Sequence, residues 1–332
     1  GIDYSELTSQ AFNQARVDRV SQQLNGKAFD KTHEDYIKNI AELDENGRAY
    51  VKLDGKTHYV VSMMKDKHLS SIYNYPKSRE CFNNVDIAGG ICYLLWSAHH
   101  NGACEFISRV GFEESRRERN LNEFPVIVSD NRGVDIIHKV IEKDKEFLSD
   151  WVLTRNSFGF TSAARGVSTP FEGCITLISS AGESYVNKTD VTKNGDLVDR
   201  YKISVGTLNP DRGGVNNASD GKSNVTTRVR ILKPNVVVTE TYIILGTFTD
   251  EAEAENFADY IRTRFARFLV LLTLSSMHIV RDNFRFVPIL DFKKKWTETE
   301  LYQRYNLSST EIAYIESMIR PMEDTLFDTE NM

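Results

Sequence analysis

Cysteine is scarce in this chain, and its spacing does not match the common metal or redox motifs. The 332 residues include four cysteines, and no two of them form a Cys-x-x-Cys pair. Two of the four lie in apolar runs, which is typical of buried free thiols in a reducing compartment. The cysteine pattern therefore predicts a cytoplasmic location and no metal site built on cysteine.

Long hydrophobic runs are also missing. The longest apolar stretch, FLVLLTL at 268–274, is far shorter than the roughly 20 residues that cross a bilayer. The first residues, GIDYSELTSQ, have neither a basic start nor an apolar core, so the sequence predicts no signal peptide. With 40% hydrophobic and 27% charged residues, the composition is typical of a soluble globular protein. We expect no membrane partner.

Common catalytic signatures are absent as well. The sequence contains no Gly-x-Ser-x-Gly, no P-loop and no His-Glu-x-x-His. His99 and His100 are adjacent, so on one strand or helix they do not readily share a metal. Asp196 and Asp199 lie near Lys202, but their spacing matches no known nuclease centre. The residues alone predict neither a catalytic side chain nor a metal ligand.

Positive charge is unevenly distributed along this acidic chain. The formal net charge is −6, yet residues 200–233 contain seven basic and two acidic side chains, and residues 278–295 contain five and two. Such segregation is typical of a phosphate-facing surface on an acidic body. Solvated loops would give the same pattern, and both interpretations stay open.

Two apolar runs around a glycine pair form the most informative stretch. LSSIYNYP at 69–76 and ICYLLW at 91–96 flank a polar turn, and Gly89 and Gly90 precede the second run. Six uncharged residues predict a strand that is buried on both faces, inside a sheet covered by helices. The glycines allow the backbone to pass very close to another group.

Local patterns predict a mixed α/β chain around this stretch. Apolar residues at helical spacing predict a helix before Asn25-Gly26 and an amphipathic helix over 134–149. RAYVKLDGKTHYVV at 48–61 alternates around Asp54-Gly55, which predicts a two-residue hairpin. The runs CITLIS, RYKISV, TRVRIL, NVVVTE and TYIILG predict short strands between 151 and 246.

The last third of the chain is predicted to be helical. A polar loop at 206–224, rich in Gly, Asn, Asp and Ser, precedes it, and a loop of this length in a compact domain is usually functional or disordered. Glutamates stand three positions after Asp250, Thr297 and Ser308, the spacing of a capping box. Helices are therefore expected to start near 251, 298 and 309.

The succession SIYNYP, Cys-Phe and VDIAGGICYLLW resembles the last catalytic-domain strands of adenine-specific DNA methyltransferases from type II restriction–modification systems. Further landmarks similar to those of the same proteins follow in order, namely TRNSFGF at 154–160, KPNVVVTETYIIL at 233–245, FRFVPILDF at 284–292 and LSSTEIAYIESMIRPME at 307–323. The resemblance covers residues 64–323. In that family the region after the glycine-containing strand is the target recognition domain, which selects the DNA sequence.

Two motifs of those enzymes are missing. The family holds S-adenosylmethionine with a glycine-rich loop, and it holds the flipped adenine with an Asn/Asp-Pro-Pro-aromatic motif. No Pro-Pro dipeptide occurs here, and Asn209-Pro210 is followed by Asp211 and Arg212. The resemblance implies S-adenosylmethionine as the methyl donor of the parent enzyme and the exocyclic amine of a flipped adenine as its target. It implies no cofactor bound by this chain, which alone would be inactive.

The resemblance and the local patterns together imply an organisation in three segments. Residues 1–62, which the resemblance does not match, are predicted from local patterns to form a helix and a hairpin of uncertain origin, and the resemblance implies that residues 63–112 form the terminal strands of a Rossmann-like methyltransferase sheet. Residues 113–332 form the DNA target recognition domain, with a β-rich half and a helical C-terminal half. The expected partners are double-stranded DNA and the catalytic methyltransferase half, in the same polypeptide or as a separate chain.

Candidate DNA contacts are side chains that can pair with base edges or phosphates. Arginine to guanine and asparagine to adenine are the usual bidentate pairs, and TRNSFGF offers both. Arg228 and Arg230 alternate, so on a strand both point to one face. Each of these residues could instead cap the edge of a strand or be a solvated side chain that contacts no DNA. The predicted DNA-contacting residues are Arg155, Asn156, Ser157, Arg165, Lys202, Arg212, Asn216, Lys222, Arg228, Arg230, Arg281 and Arg285.

Two other functions remain open from the sequence. Residues 1–110 could form a reduced but active methyltransferase with unusual motifs, which binding of S-adenosylmethionine would reveal. Alternatively, the chain could be a scaffold that docks a partner subunit, with protein association that is insensitive to salt and no binding to DNA.

Overall fold

The computed structural model describes residues 42–43, 49–53, 56–58, 64–82, 87, 90–110, 113–211, 221–274 and 276–322. The helix predicted before Asn25 and three further predicted features, Gly89, Arg212 and Asn216, lie outside the described residues. Structural statements below refer to the described part.

The described residues combine strands and helices, so the chain belongs to the mixed α+β class. The strands are β1 (Glu42–Leu43), β2 (Ala49–Leu53), β3 (Lys56–His58), β4 (Leu69–Tyr75), β5 (Ile91–Trp96), β6 (Cys104–Val110), β7 (Glu113–Arg119), β8 (Cys174–Ser179), β9 (Gly182–Asn187), β10 (Tyr201–Gly206), β11 (Arg230–Leu232), β12 (Val236–Val238) and β13 (Tyr242–Phe248). The α-helices are α1 (Asn131–Lys143), α2 (Glu251–Arg262), α3 (Arg264–Leu271), α4 (Glu298–Arg304) and α5 (Ser309–Met318).

The strands form four small sheets of mixed direction. Their orders are β1-β2-β3, β5-β4-β6-β7, β12-β8-β9 and β11-β10-β13. Strands β4 and β6 pair in parallel, as do β12 and β8, whereas β8 with β9 and β10 with both of its neighbours pair antiparallel. The predicted hairpin is confirmed, because β2 and β3 pair antiparallel with Leu53 opposite Lys56, which leaves two residues for the turn.

The chain divides into two compact units with interleaved segments. Unit 1 comprises Gly1–Ser70, Leu95–Cys104 and Glu118–Ile127, and unit 2 comprises Ser71–Leu94, Glu105–Arg117 and Val128–Met332. The assignment of 1–62, 63–112 and 113–332 to different origins stays a prediction.

Within unit 1, short polar contacts hold the turns. Asp66 accepts hydrogen bonds from Trp96 Nε1 and from the His68 backbone amide, both at 2.9 Å. Arg119 is buried and pairs with Glu123 at 2.7 Å. Because a buried guanidinium needs a partner, this pair fixes the end of β7.

The prediction that Ile91–Trp96 is buried on both faces is wrong. Strand β5 stands at the end of the order β5-β4-β6-β7, and Tyr93, Leu95 and Trp96 are 48%, 59% and 45% exposed. An uncharged run does not reveal whether its strand lies at the edge or in the centre of a sheet. The expected close approach is confirmed at Gly90, whose φ is +79° and where a Cβ would overlap the Tyr75 carbonyl oxygen.

Unit 2 is built on a core shared by two sheets. Its members are Phe158, Phe160, Ile175, Leu177, Ile178, Val186, Val198, Leu232, Val237, Val238 and Ile244, which come from both three-stranded sheets of this unit and from the TRNSFGF segment. Full burial of one such side chain stabilises the fold by about 1.5–3 kcal/mol. The core therefore attaches the TRNSFGF segment firmly to both sheets.

The helix starts follow the predicted caps. Helices α2, α4 and α5 begin at Glu251, Glu298 and Ser309, and the side chains of Asp250, Thr297 and Ser308 accept hydrogen bonds from backbone amides of the first turn. The amphipathic helix expected over 134–149 spans Asn131–Lys143, because the side chain of Asp130 provides an N-cap earlier than the apolar pattern begins.

Candidate nucleic-acid interface

One end of the sheet β11-β10-β13 brings together segments that are distant in sequence. Strand β10 ends at Gly206, which lies opposite Tyr242, the first residue of β13. Arg230, the first residue of β11, lies opposite Ser204. The Gly206 amide also donates to Thr227 Oγ1 at 2.6 Å. The antiparallel topology therefore places the residues before β11 beside the loop that follows β10.

Arg228 and Arg230 lie at this end of the sheet. Arg228 is exposed and precedes β11, Val229 between the two arginines is 2% exposed, and Arg230 is half-buried with its guanidinium 5.7 Å from the Tyr242 ring centre. Because β11 begins only at Arg230, the expected strand over TRVRIL does not include Arg228, and the prediction that both arginines point to one face of a strand holds for Arg230 alone. Arg228 is the more accessible of the two.

The loop after β10 starts from a fixed base. Asp211 accepts hydrogen bonds from Ser223 Oγ at 2.6 Å and from the amides of Asn224 and Val225 at 2.7 and 2.8 Å. Val225 is fully buried at φ +66°, a strained conformation for a β-branched residue. This carboxylate therefore joins the two ends of the segment 212–220, which carries the predicted contacts Arg212 and Asn216.

Leu208 is exposed at the start of the loop that follows β10. Its neighbours Thr207 and Asn209 are buried, and Leu208 is 57% exposed. Backbone hydrogen bonds hold both neighbours, from the Thr207 amide to Thr241 at 2.9 Å and from the Asn209 amide to Met277 at 2.7 Å. A large apolar side chain thus projects from a rigid backbone at the end of the sheet.

The TRNSFGF segment has a rigid and strained backbone. Phe158 and Phe160 are buried in the shared core. Gly159 has φ +92°, and a Cβ at this position would overlap Thr192 Oγ1. Asn156 has φ +60°, and its buried Oδ1 has no hydrogen-bond partner. Strain of this kind occurs preferentially at functional sites.

Glu240 brings this segment to the same end of the sheet. It stands two residues before β13, its Oε1 accepts from the Ser162 amide at 3.0 Å, and its Oε2 lies 3.6 Å from Arg155 Nε. The Ser162 hydrogen bond and then the Arg155 charge hold the pKa of Glu240 below its ordinary value. Arg155 itself is 63% exposed. The carboxylate therefore orients an accessible guanidinium without burying it.

Arg165 follows in the same loop. It is exposed, and its Nη1 donates to the carbonyl oxygens of Ser162 and Ala164 at 2.8 and 2.7 Å. The segments described so far meet around Glu240 and the ends of β10, β11 and β13. We call this region the sheet-end surface and define it by Arg155, Arg165, Leu208, Arg228 and Arg230.

Two predicted DNA contacts are corrected by their burial. Lys202 is 0% exposed, and its Nζ donates to the carbonyls of Val198 at 2.9 Å and Arg200 at 2.6 Å. It cannot reach a phosphate, because it lies on the central strand β10 with its side chain directed inward. Ser157 is 1% exposed and its Oγ donates to the Thr154 carbonyl at 3.0 Å.

The other predicted residues lie elsewhere or are partly shielded. Arg281 contacts the Ser149 carbonyl and lies 3.9 Å from Asp150, and Arg285 pairs with Asp282 at 2.9 Å. Lys222 is half-buried beside the loop base.

Sequence reasoning missed Glu240 and Leu208. Glu240 lies in the TETYIIL run, where its role depends on a contact with a segment 78 residues earlier. Leu208 stands alone among polar residues of the 206–224 loop, and this isolation was the available signal.

Comparison with known proteins places the chain in no family. No protein-family model matches it, and no curated protein matches it. In the described residues, no three His, Cys, Asp or Glu side chains are grouped so that they could hold a metal ion. The helices that the structure describes are all too short or too polar to cross a membrane.

The geometry of the sheet-end surface suits a polyanion. The four arginines of this surface are partly or fully exposed and come from two segments, one with Arg155 and Arg165 and the other with Arg228 and Arg230, and hydrogen bonds fix the backbone of both segments. Guanidinium groups bind phosphates and guanine edges through paired hydrogen bonds. The surface can therefore contact a nucleic acid at several points without prior ordering of its backbone.

Proposed function

We propose that this chain is the DNA-reading part of an adenine-specific methyltransferase of a restriction–modification system, and that its sheet-end surface contacts double-stranded DNA. The observation that carries the proposal is that Arg155, through its contact with Glu240, and Arg228 are both exposed and both lie at the end of the sheet where β10 ends beside β11 and β13. The resemblance in sequence supplies the family, and the geometry supplies the surface.

Because their backbone segments are held by hydrogen bonds, these arginines favour sequence-specific binding of DNA over non-specific electrostatic attraction. Phosphate contacts position a protein on DNA, whereas base contacts select the sequence. A guanidinium held by a carboxylate, as Arg155 is by Glu240, loses little conformational freedom on binding. The proposal assigns positioning to Arg228 and Arg165, and assigns base contacts to Arg155 and the 212–220 segment.

The parent enzyme would transfer a methyl group from S-adenosylmethionine to the exocyclic amine of adenine. That amine is inaccessible in stacked DNA, so the base must be flipped out. Among the described residues β5 stands at the end of its sheet, where Tyr93 is 48% exposed and stacks on Tyr73 at 4.6 Å, and this supports a docking place for the catalytic half. An uncovered sheet edge is a ready template for a further strand.

The proposal is tested with two alanine variants and a matched control. Arg155→Ala and Arg228→Ala each remove one exposed charge from the sheet-end surface. Lys188→Ala serves as the control, because Lys188 pairs at 2.7 Å with Asp199, which precedes the opposite end of β10. We expect each arginine variant to weaken binding to duplex DNA by roughly tenfold and the control to bind as the wild type does.

Equal affinities of all three variants would remove the sheet-end surface from the proposal. Thermal unfolding with S-adenosylmethionine tests one of the two alternatives, a reduced but active methyltransferase. A ligand that binds only the native state raises the unfolding temperature. A saturable rise would favour the enzyme, and an unchanged temperature favours a DNA-reading part.

A further inference from the structure

A cationic cavity lies in unit 2 where helices α2, α3 and α4 meet. Its volume is about 290 Å³, and the charged side chains that line it are Asp259, Arg262, Arg264, Arg267, Lys295 and Glu298. Four cations face two carboxylates. None of these six residues belongs to the sheet-end surface.

The two carboxylates are already engaged by the chain itself. Asp259 pairs with Arg262 at 2.9 Å and with Lys295 at 2.6 Å. Glu298 accepts from the Arg264 amide at the start of α3 and lies 3.5 Å from Arg264 Nε. Each carboxylate is therefore shared. Arg264 also pairs at 2.7 Å with Glu316 beside the cavity, so among the described residues four cations stand against three carboxylates.

Arg267 forms no ion pair with a carboxylate in the described part of the chain, although the charges of Glu298 and Asp211 act on it from a greater distance. Its side chain is 1% exposed, and its Nε and Nη1 donate to the carbonyls of Arg262 at 3.0 Å and Asn224 at 3.3 Å. Its Nη2 is buried and has no hydrogen-bond partner among the residues that the structure describes. Burial lowers the pKa of Arg267 to about 10, so the group stays charged at neutral pH.

A buried guanidinium with an unmade hydrogen bond and no ion pair is unfavourable. Each unsatisfied buried donor destabilises the fold, and a buried charge destabilises it more unless it is paired. An oxyanion in the adjoining cavity would satisfy both needs. Carbonyl oxygens, which now accept from Nε and Nη1, cannot supply the charge.

We infer that this cavity binds a phosphate group, with Arg267 Nη2 and Lys295 as donors. The planar guanidinium fork matches the spacing of phosphate oxygens, and Lys295 adds a second positive charge from the rim. A volume of about 290 Å³ accommodates a phosphate with a substituent of modest size. The phosphate could belong to the DNA backbone or to a free phosphomonoester, since both present the same oxygens.

The test uses the full chain and inorganic phosphate as the probe. Binding is measured by calorimetry and by thermal unfolding, in phosphate and in chloride at matched ionic strength. We expect a saturable rise in unfolding temperature with phosphate and none with chloride. Equal responses to the two anions would overturn the inference.

Reversing the charge of Lys295, at the rim of the cavity, tests whether phosphate binds in this cavity. Lys295→Glu should weaken phosphate binding by at least about tenfold, because it removes a charge-assisted hydrogen bond and adds repulsion. Lys293→Glu is the matched control, since Lys293 is exposed two residues away and does not line the cavity. Both variants lie at the surface, and their unfolding temperatures without phosphate verify the fold. Equal loss in both variants would contradict a bound site.

Competition experiments distinguish the two possible sources of the phosphate, the DNA backbone and a free phosphomonoester. If the DNA backbone supplies it, Lys295→Glu also weakens duplex binding and phosphate competes with DNA. If a free phosphomonoester supplies it, adenosine 5′-monophosphate binds with the same dependence on Lys295 while duplex affinity is unchanged. Phosphate bound to the chain without dependence on Lys295 would be an adventitious ion only and would refute the inference. Since duplex affinity is scored separately with Arg155 and Arg228 variants, failure here leaves the proposed function intact.

Discussion

At the scale of single residues, two buried cations in unit 2 differ in how they are satisfied. Lys202 donates its ammonium hydrogens to backbone carbonyls and contributes to the fold alone. Arg267 keeps one donor without a partner beside a cavity. A buried cation whose donors all have partners therefore has a structural role, whereas one with an unsatisfied donor beside a cavity is a candidate for ligand binding.

Burial makes Lys202 a source of pH-dependent stability. Desolvation lowers the pKa of Lys202 from its ordinary 10.5 to about 8. Between these values the unfolded chain binds more protons than the native chain, so the free energy of unfolding rises with pH across this window. We expect a rise of at most roughly 3 kcal/mol, because the surrounding carbonyls partly favour the charged form.

The comparison with Lys202→Met isolates this contribution. Denaturant unfolding of both proteins between pH 7.5 and roughly 10 gives their difference in stability, from which other titrating groups cancel. The wild type should gain stability relative to the variant as the pH increases. A difference that does not change with pH would mean that Lys202 keeps an ordinary pKa in the native protein.

At the scale of elements, the TRNSFGF segment determines where Arg155 projects. Its core anchors, Phe158 and Phe160, lie on either side of Gly159, where a positive φ and the proximity of Thr192 exclude a side chain. The position of Arg155 therefore depends on a backbone shape that one glycine permits.

Gly159→Ala should disturb this segment and weaken DNA binding. We expect a loss of roughly 2–4 kcal/mol in unfolding free energy, from the unfavourable φ and from overlap with Thr192, together with reduced affinity for duplex DNA. Gly173→Ala is the matched control, because Gly173 also has a positive φ, +75°, but has open space around it. Similar stability and DNA affinity in the two variants would argue against a special role for this backbone.

Elements governed by local signals were predictable from the sequence. Helices α2, α4 and α5 begin where the caps at Asp250, Thr297 and Ser308 indicate, and the Asp54-Gly55 hairpin forms as expected. These features depend on residues within one turn of each other.

Features that depend on distant contacts were not predictable. Strand β5 has the composition of a buried strand, but its exposure follows from its place at the end of the sheet. Lys202 looks like one more basic residue of a positive segment, yet it is buried, and its ammonium donates to backbone carbonyls before β10 and to that of Lys233 after β11. The sheet-end surface itself required the pairing of β10 with β11 and β13, which no local pattern reveals.

At the scale of the whole molecule, the net charge of −6 does not oppose a DNA partner. Electrostatic attraction depends on where charge lies, and the accessible arginines of the sheet-end surface come from segments far apart in sequence. A local surface of arginines can therefore contact DNA although the chain as a whole is acidic.

The central proposal is that this chain binds double-stranded DNA through the sheet-end surface. It is tested most directly by the affinity for random-sequence duplex DNA across a salt series, for the wild type and for the double variant Arg155→Ala, Arg228→Ala. The logarithm of the affinity should fall linearly with the logarithm of salt concentration, by about 0.9 for each phosphate contacted, and the slope should be shallower by about one to two units in the variant. No binding by the wild type at low salt, or identical slopes for the two proteins, would contradict the account.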